Sequence, residues 1–134
     1  MTSDFLSGQN EEQHHNRATG KQGEDLAVEY LQARGYHILE RNYHNAFGEI
    51  DIIAFDQRIL CFIEVKTRYS DEYGNPLEAV NKKKQRQIGK MALIYLRDAE
   101  FEWSGARFDV IGITLNESPE KQLHLIKNAF EFVN

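Results

Sequence analysis

A chain of 134 residues, 41% hydrophobic and 28% charged, is long enough to bury one ordinary core and too apolar to be disordered throughout, so a single domain is expected. No apolar run approaches the ~20 residues that cross a bilayer, and the start "MTSDFLSGQNEEQHHN" lacks the layout of a signal peptide. A lone cysteine, Cys61, excludes an intrachain disulfide and a Cys-based zinc site, so the expected setting is cytoplasmic, with no membrane partner.

The net charge of −5 argues only mildly against a nucleic-acid partner, because residues 17–115 carry 14 Lys and Arg against 15 Asp and Glu and the acidic excess lies in the tails. Residues 1–16 read as a disordered polar tail, in which His14 and His15 are solvated, and residues 17–134 as the domain. "GKQGEDLAVEYLQARGY" predicts a first helix closed by Gly35. "YHILERNY" predicts a strand, and "GEIDIIAFDQRILCFIEVKTR", residues 48–68, two more joined by a hairpin at "DQR". A loop at Gly74, Asn75 and Pro76 follows, then a helical pattern from Glu78 to about Glu100, with Trp103 near its end either a packing anchor or, if exposed, a surface on which an unpaired base could stack. "ARFDVIGITL" and "QLHLIK" read as the last strands, for an order α, β, β, β, α, β, β.

Residues 48–68 place charges among the most apolar residues of the chain. Side chains alternate faces along a strand, so Glu64 and Lys66 share a face with Phe62 and Arg68, while Cys61, Ile63, Val65 and Thr67 point into a core. Asp51 shares its face with Glu49 and Ile53. In a hairpin through "DQR", Asp51 and Glu64 approach each other, and two converging carboxylates need a cation or a proton. Lys66 alone supplies one reading, an ion-paired polar face with no chemistry. The other is a hard-oxygen site for Mg²⁺ or Mn²⁺. On the first helix Glu24 is the acid at the margin of the apolar face, either reaching the carboxylates or complementing the helix dipole, and Gly23 allows close approach to the sheet. Lys82, Arg86, Lys90 and Arg97 form a basic stripe on the second helix, opposite Val80, Ile88, Met91 and Tyr95; it is either a solvated face or a phosphate contact.

Asp51, twelve residues, then "Glu64-Val65-Lys66" resembles the D…(D/E)xK signature of the PD-(D/E)XK nuclease superfamily, which includes restriction enzymes and archaeal Holliday-junction resolvases. Together with "GKQGEDLAVEYLQARGY", "GEIDIIA", "FIEVKTR", "EAVNKKKQRQI" and "FDVIGI", it is similar to the YraN-like family of small bacterial proteins over residues 17–115. The signature's proline is replaced by Ile50. The resemblance implies an α/β, restriction-endonuclease-like fold: a mixed central β-sheet flanked by helices in the order αβββαβ(β). It implies a Mg²⁺-dependent endonuclease acting on DNA, including branched or repair-intermediate DNA. Asp51, Glu64 and the Val65 carbonyl would be metal ligands, Lys66 the catalytic lysine, Glu24 the helix acid and Glu49 an extra ligand. Arg68, Lys82, Lys84, Gln85, Arg86 and Lys90 are the candidate nucleic-acid contacts. A non-catalytic nucleic-acid-binding or protein-recruiting module on the same scaffold is the alternative. A homodimer would suit paired cuts at a symmetric junction, with "NAFEFV" either at its interface or closing the sheet.

Overall fold

The computed structural model describes residues 20–69 and 75–132; the expectations for the N-terminal tail, its two histidines and Gly74 lie outside them. Helix α1 covers residues 20–33 and buries Gly23, Ala27 and Leu31, one residue per turn along one stripe. It ends as expected at Gly35, whose φ of 86° is open to glycine, with the Tyr36 N–H donating back to the Leu31 carbonyl at 3.0 Å.

Five strands follow: β1 (His37–Asn45), β2 (Gly48–Asp56), β3 (Ile59–Arg68), β4 (Gly105–Thr114) and β5 (Leu123–Phe130), with helix α2 (Lys82–Asp98) between β3 and β4. They form one sheet in sequence order, antiparallel except for the parallel pair β3 and β4. That parallel pairing requires a crossover, which α2 supplies. The helices cover opposite faces. Ala27 and Leu31 of α1 pack with Ile52, Ala54, Cys61, Ile63, Ile111 and Ile113, whereas Ile88, Met91 and Ala92 of α2 pack with Phe62, Phe108 and Val110. A mixed sheet flanked by helices is therefore the architecture, and Cys61 is the buried hydrophobe expected, its thiol pushed up to about 12, chiefly by burial. Among the described residues no helix is long and apolar enough to cross a membrane.

Three expectations are corrected. The helical pattern from Glu78 to Glu100 is two elements: a 3₁₀ turn (Pro76–Ala79), then α2, divided at Asn81, whose side chain accepts from the Lys84 N–H at 2.9 Å and caps the second. Trp103 lies beyond the helix and is 39% exposed, so it anchors no core. Alternation also slips along β2: Ile50 and Ile53 pack on the α2 side while Ile52 and Ala54 pack on the α1 side, so Asp51 stands where the strand changes phase. Of "NAFEFV", Asn128–Phe130 complete β5, and Phe130 stacks on Phe108 at 4.8 Å, which closes the sheet.

Asp109, the acid of "FDVIGI", is a structural group. It is buried, accepts from Arg107 Nε at 3.0 and 3.1 Å and from the Asn128 N–H at 2.9 Å, and Arg107 Nη2 reaches Asp56 and Tyr36 as well. With its acceptors satisfied, this charge holds β4 to its neighbours.

Gly112 faces Lys66 across the parallel ladder, and a Cβ there would overlap the ring of Pro76. Gly112→Ala is expected to destabilise the fold by about 1–3 kcal/mol through overpacking, measured by denaturant unfolding. An unchanged midpoint would mean that the 3₁₀ turn moves aside freely.

Candidate metal centre

The ladder between β2 and β3 runs from Asp56 opposite Ile59 to Ile52 opposite Ile63 and stops there, one residue short of Asp51 and Glu64. Beyond that point the Asp51 side chain replaces the ladder: its Oδ2 accepts from the Val65 N–H at 2.8 Å. Glu64 follows Phe62 onto the α2 side and is 3% exposed. Lys84 Nζ of α2 comes within 3.9 Å of Glu64 Oε2, while Oε1 is buried with no hydrogen-bond partner. The Glu64 carboxyl is pushed up to about 7 by burial first and by the Asp51 charge second, against the pull of Lys84 and Lys66. Burial likewise raises Asp51, opposed by the Val65 hydrogen bond and by Lys66.

Glu24 belongs to the same group. Burial raises its carboxyl, and the Asp51 charge is the next contribution. A cavity of about 730 Å³ opens beside it, lined by Gly20, Lys21, Glu24, Asp25, Arg41 and Asn42. Arg41 Nη2 donates to Asp25 Oδ1 at 2.7 Å and stands 4.0 Å from Glu24 Oε2.

Asn42 and Lys84 play parts the sequence reading did not assign. The Asn42 carboxamide faces carboxylate oxygens, so its nitrogen must be turned towards them. In that orientation it donates to Glu49 Oε1 at 2.8 Å and to the Glu24 oxygens at 3.2 and 3.3 Å, bridging the two acids. Its φ of 53° is the left-handed conformation that asparagine tolerates better than most residues. An asparagine inside a strand was the available signal. Lys84, grouped beforehand with the phosphate contacts, is half-buried and turned to Glu64, and Gln85 is buried with its amide donating to the Val80 carbonyl at 2.9 Å. The outward basic surface of α2 is therefore Lys82, Lys83, Arg86 and Lys90, with Arg97 exposed near its end. Arg68 is half-buried, and its Nε is itself buried without a hydrogen-bond partner.

Among the described residues no three His, Cys, Asp or Glu side chains form a ready metal cage. Mg²⁺ does not need one, since it binds through one or two carboxylates and keeps water and substrate oxygens in its other positions. Asp51 Oδ1, the orphaned Glu64 Oε1 and the Val65 carbonyl are hard oxygen donors of the kind such an ion takes. A buried acceptor without a donor is costly unless a cation or a proton satisfies it.

The sequence profile of the uncharacterised protein family UPF0102 matches residues 23–113. The chain is 45% identical over 116 residues to a UPF0102 protein of Rhodococcus jostii, covering 87% of this chain and 98% of that one. It is 50% identical over 117 residues to one from Syntrophus aciditrophicus (87% and 91%) and 54% identical over 100 residues to one from Chlorobium limicola (75% and 78%). The match takes in α1 from Gly23, the whole carboxylate group and β4 to Ile113, so the chain belongs to the UPF0102 family.

Proposed function

We propose that the protein is a Mg²⁺- or Mn²⁺-dependent nuclease that hydrolyses phosphodiester bonds in DNA, working in the cytoplasm on a restriction-endonuclease-like sheet. The observation that carries this reading is the buried Glu64 carboxyl with one orphaned oxygen, opposite Asp51 where β2 and β3 part. A protein gains nothing in stability from such a pair.

Asp51, Glu64 and the Val65 carbonyl would hold the ion. The ion would polarise a phosphate oxygen and lower the pKa of a water molecule. Lys66, two residues from Glu64 and half-buried on the same strand, orients the water and offsets charge on phosphorus. Glu24 and Glu49, tied together by Asn42, complete the acidic rim. Lys82, Arg86 and Lys90, exposed on α2, meet phosphates farther along the strand without reading sequence, and Arg68, half-buried on the strand that carries Glu64, adds positive charge beside the site.

Calorimetric titration of Mn²⁺, with and without DNA, tests the reading. Saturable binding is expected for the protein and its loss for Asp51→Asn. Absence of binding under both conditions would assign the scaffold to a non-catalytic module.

A further inference from the structure

We infer that Phe47, at the tip of the β1–β2 hairpin, is a stacking surface for an unpaired nucleobase of DNA bound at the carboxylate site. This rests on the nucleic-acid reading above and adds a substrate class to it: DNA with bases out of the stack, as at a flap, a gap or a junction.

Phe47 is 46% exposed. Other exposed aromatics are used within the fold: Phe101 packs edge-on against Phe55 at 5.4 Å and Phe132 against Phe108 at 4.7 Å. Phe47 has no ring contact among the described residues. Its backbone is nevertheless fixed on both sides. The N–H donates to Asn45 Oδ1 at 2.9 Å, and the carbonyl accepts from the Gln87 amide of α2. Gly48, at φ 142°, lets the hairpin come this close, since a Cβ there would lie 2.7 Å from Gln87 Nε2. The tip is thus seated on the helix while its aromatic ring faces solvent.

Its surroundings match a nucleic-acid strand. Glu49, two residues on, belongs to the acidic rim. Lys83 and Lys90, both exposed, stand four and three residues from Gln87, the spacing of neighbours on a helix surface. An aromatic held by its backbone beside exposed cations is the arrangement that binds single strands, the base on the ring and the phosphates on the ammoniums. Trp103, also exposed and without a ring partner among the described residues, lies at the opposite end of the sheet, where the Ser104 N–H meets the Arg58 carbonyl of the β2–β3 turn.

The test uses two oligonucleotides of one sequence, a full duplex and a flapped duplex carrying 2-aminopurine in the flap, titrated with Ca²⁺ as the divalent ion. The wild-type protein is expected to bind the flapped DNA more tightly and to quench the fluorophore. Phe47→Ala should lose about tenfold in affinity for the flap, the stacking contribution of one base, with duplex binding unchanged, and Phe47→Tyr should retain both. Equal flap binding by the alanine variant, or equal losses on both DNAs, would overturn the inference and leave the nuclease reading standing. Wild-type protein that binds neither DNA would overturn both.

Discussion

Lys66→Ala is expected to fold, to keep saturable Mn²⁺ binding and to lose cleavage of a susceptible DNA by a factor on the order of 10²–10³, the usual loss when one preorganised positive group is removed from a phosphoryl or acyl transition state. The lysine follows Glu64 on the strand that carries the site, and its charge favours the ionised forms of both Asp51 and Glu64. It supplies no ligand oxygen, so metal binding and catalysis separate in this variant as they do not in Asp51→Asn. Single-turnover rates beside a metal isotherm make the comparison. A normal rate would remove Lys66 from the chemistry. A lost isotherm would make it a structural partner of the carboxylates.

Glu64→Gln should stabilise the protein at pH 8 and leave it nearly unchanged near pH 4. Folded, the Glu64 carboxyl takes up its proton at about 7, against an ordinary 4.5 when unfolded. Between those values the folded state binds more protons than the unfolded one. Stability therefore falls as pH rises through this window and stays reduced above it. The full gap corresponds to at most about 3 kcal/mol, several degrees in the melting temperature of a domain this size. Glutamine has no charge to bury, so the variant escapes that loss and its melting curve should lose this part of the pH dependence. Mn²⁺ should act in the opposite sense, stabilising the wild-type protein by about 2.7 kcal/mol at a hundredfold excess over Kd and the variant hardly at all. Melts at pH 5, 6, 7 and 8, each with and without the ion, give both results. A glutamine variant less stable than wild type at pH 8 would show that Glu64 holds the fold together, and the case for a site held at the expense of stability would be lost.

Much of the architecture is legible without coordinates, because it follows from local patterns. The two apolar runs within residues 48–68 and the polar "DQR" turn between them mark out β2 and β3, and the stripe of Gly23, Ala27 and Leu31 marks the face α1 lays on the sheet. The spacing from Asp51 to Glu64 selects the two acids that the hairpin brings to the same end of the sheet. The break at Val80 and Asn81 was missed because both sides of it are helical in composition, and an asparagine cap declares itself only by its hydrogen bond.

What the tertiary structure alone decided is the electrostatics and the company these residues keep. Periodicity put Asp51 on a regular strand face; the parting of β2 from β3 instead frees its carboxylate to take the Val65 N–H. No sequence window contains the burial that α2 imposes on Glu64, nor the turn of Lys84 towards it. Glu24, Asn42 and Glu49 meet across a helix and two strands, and Phe47 is fixed by a glutamine forty residues away. The physical reason is common to all of these. Strand and helix periods are set by short-range backbone geometry, which neighbouring residues specify, whereas desolvation and charge coupling depend on which distant segments pack together, and that exists only once the chain has folded.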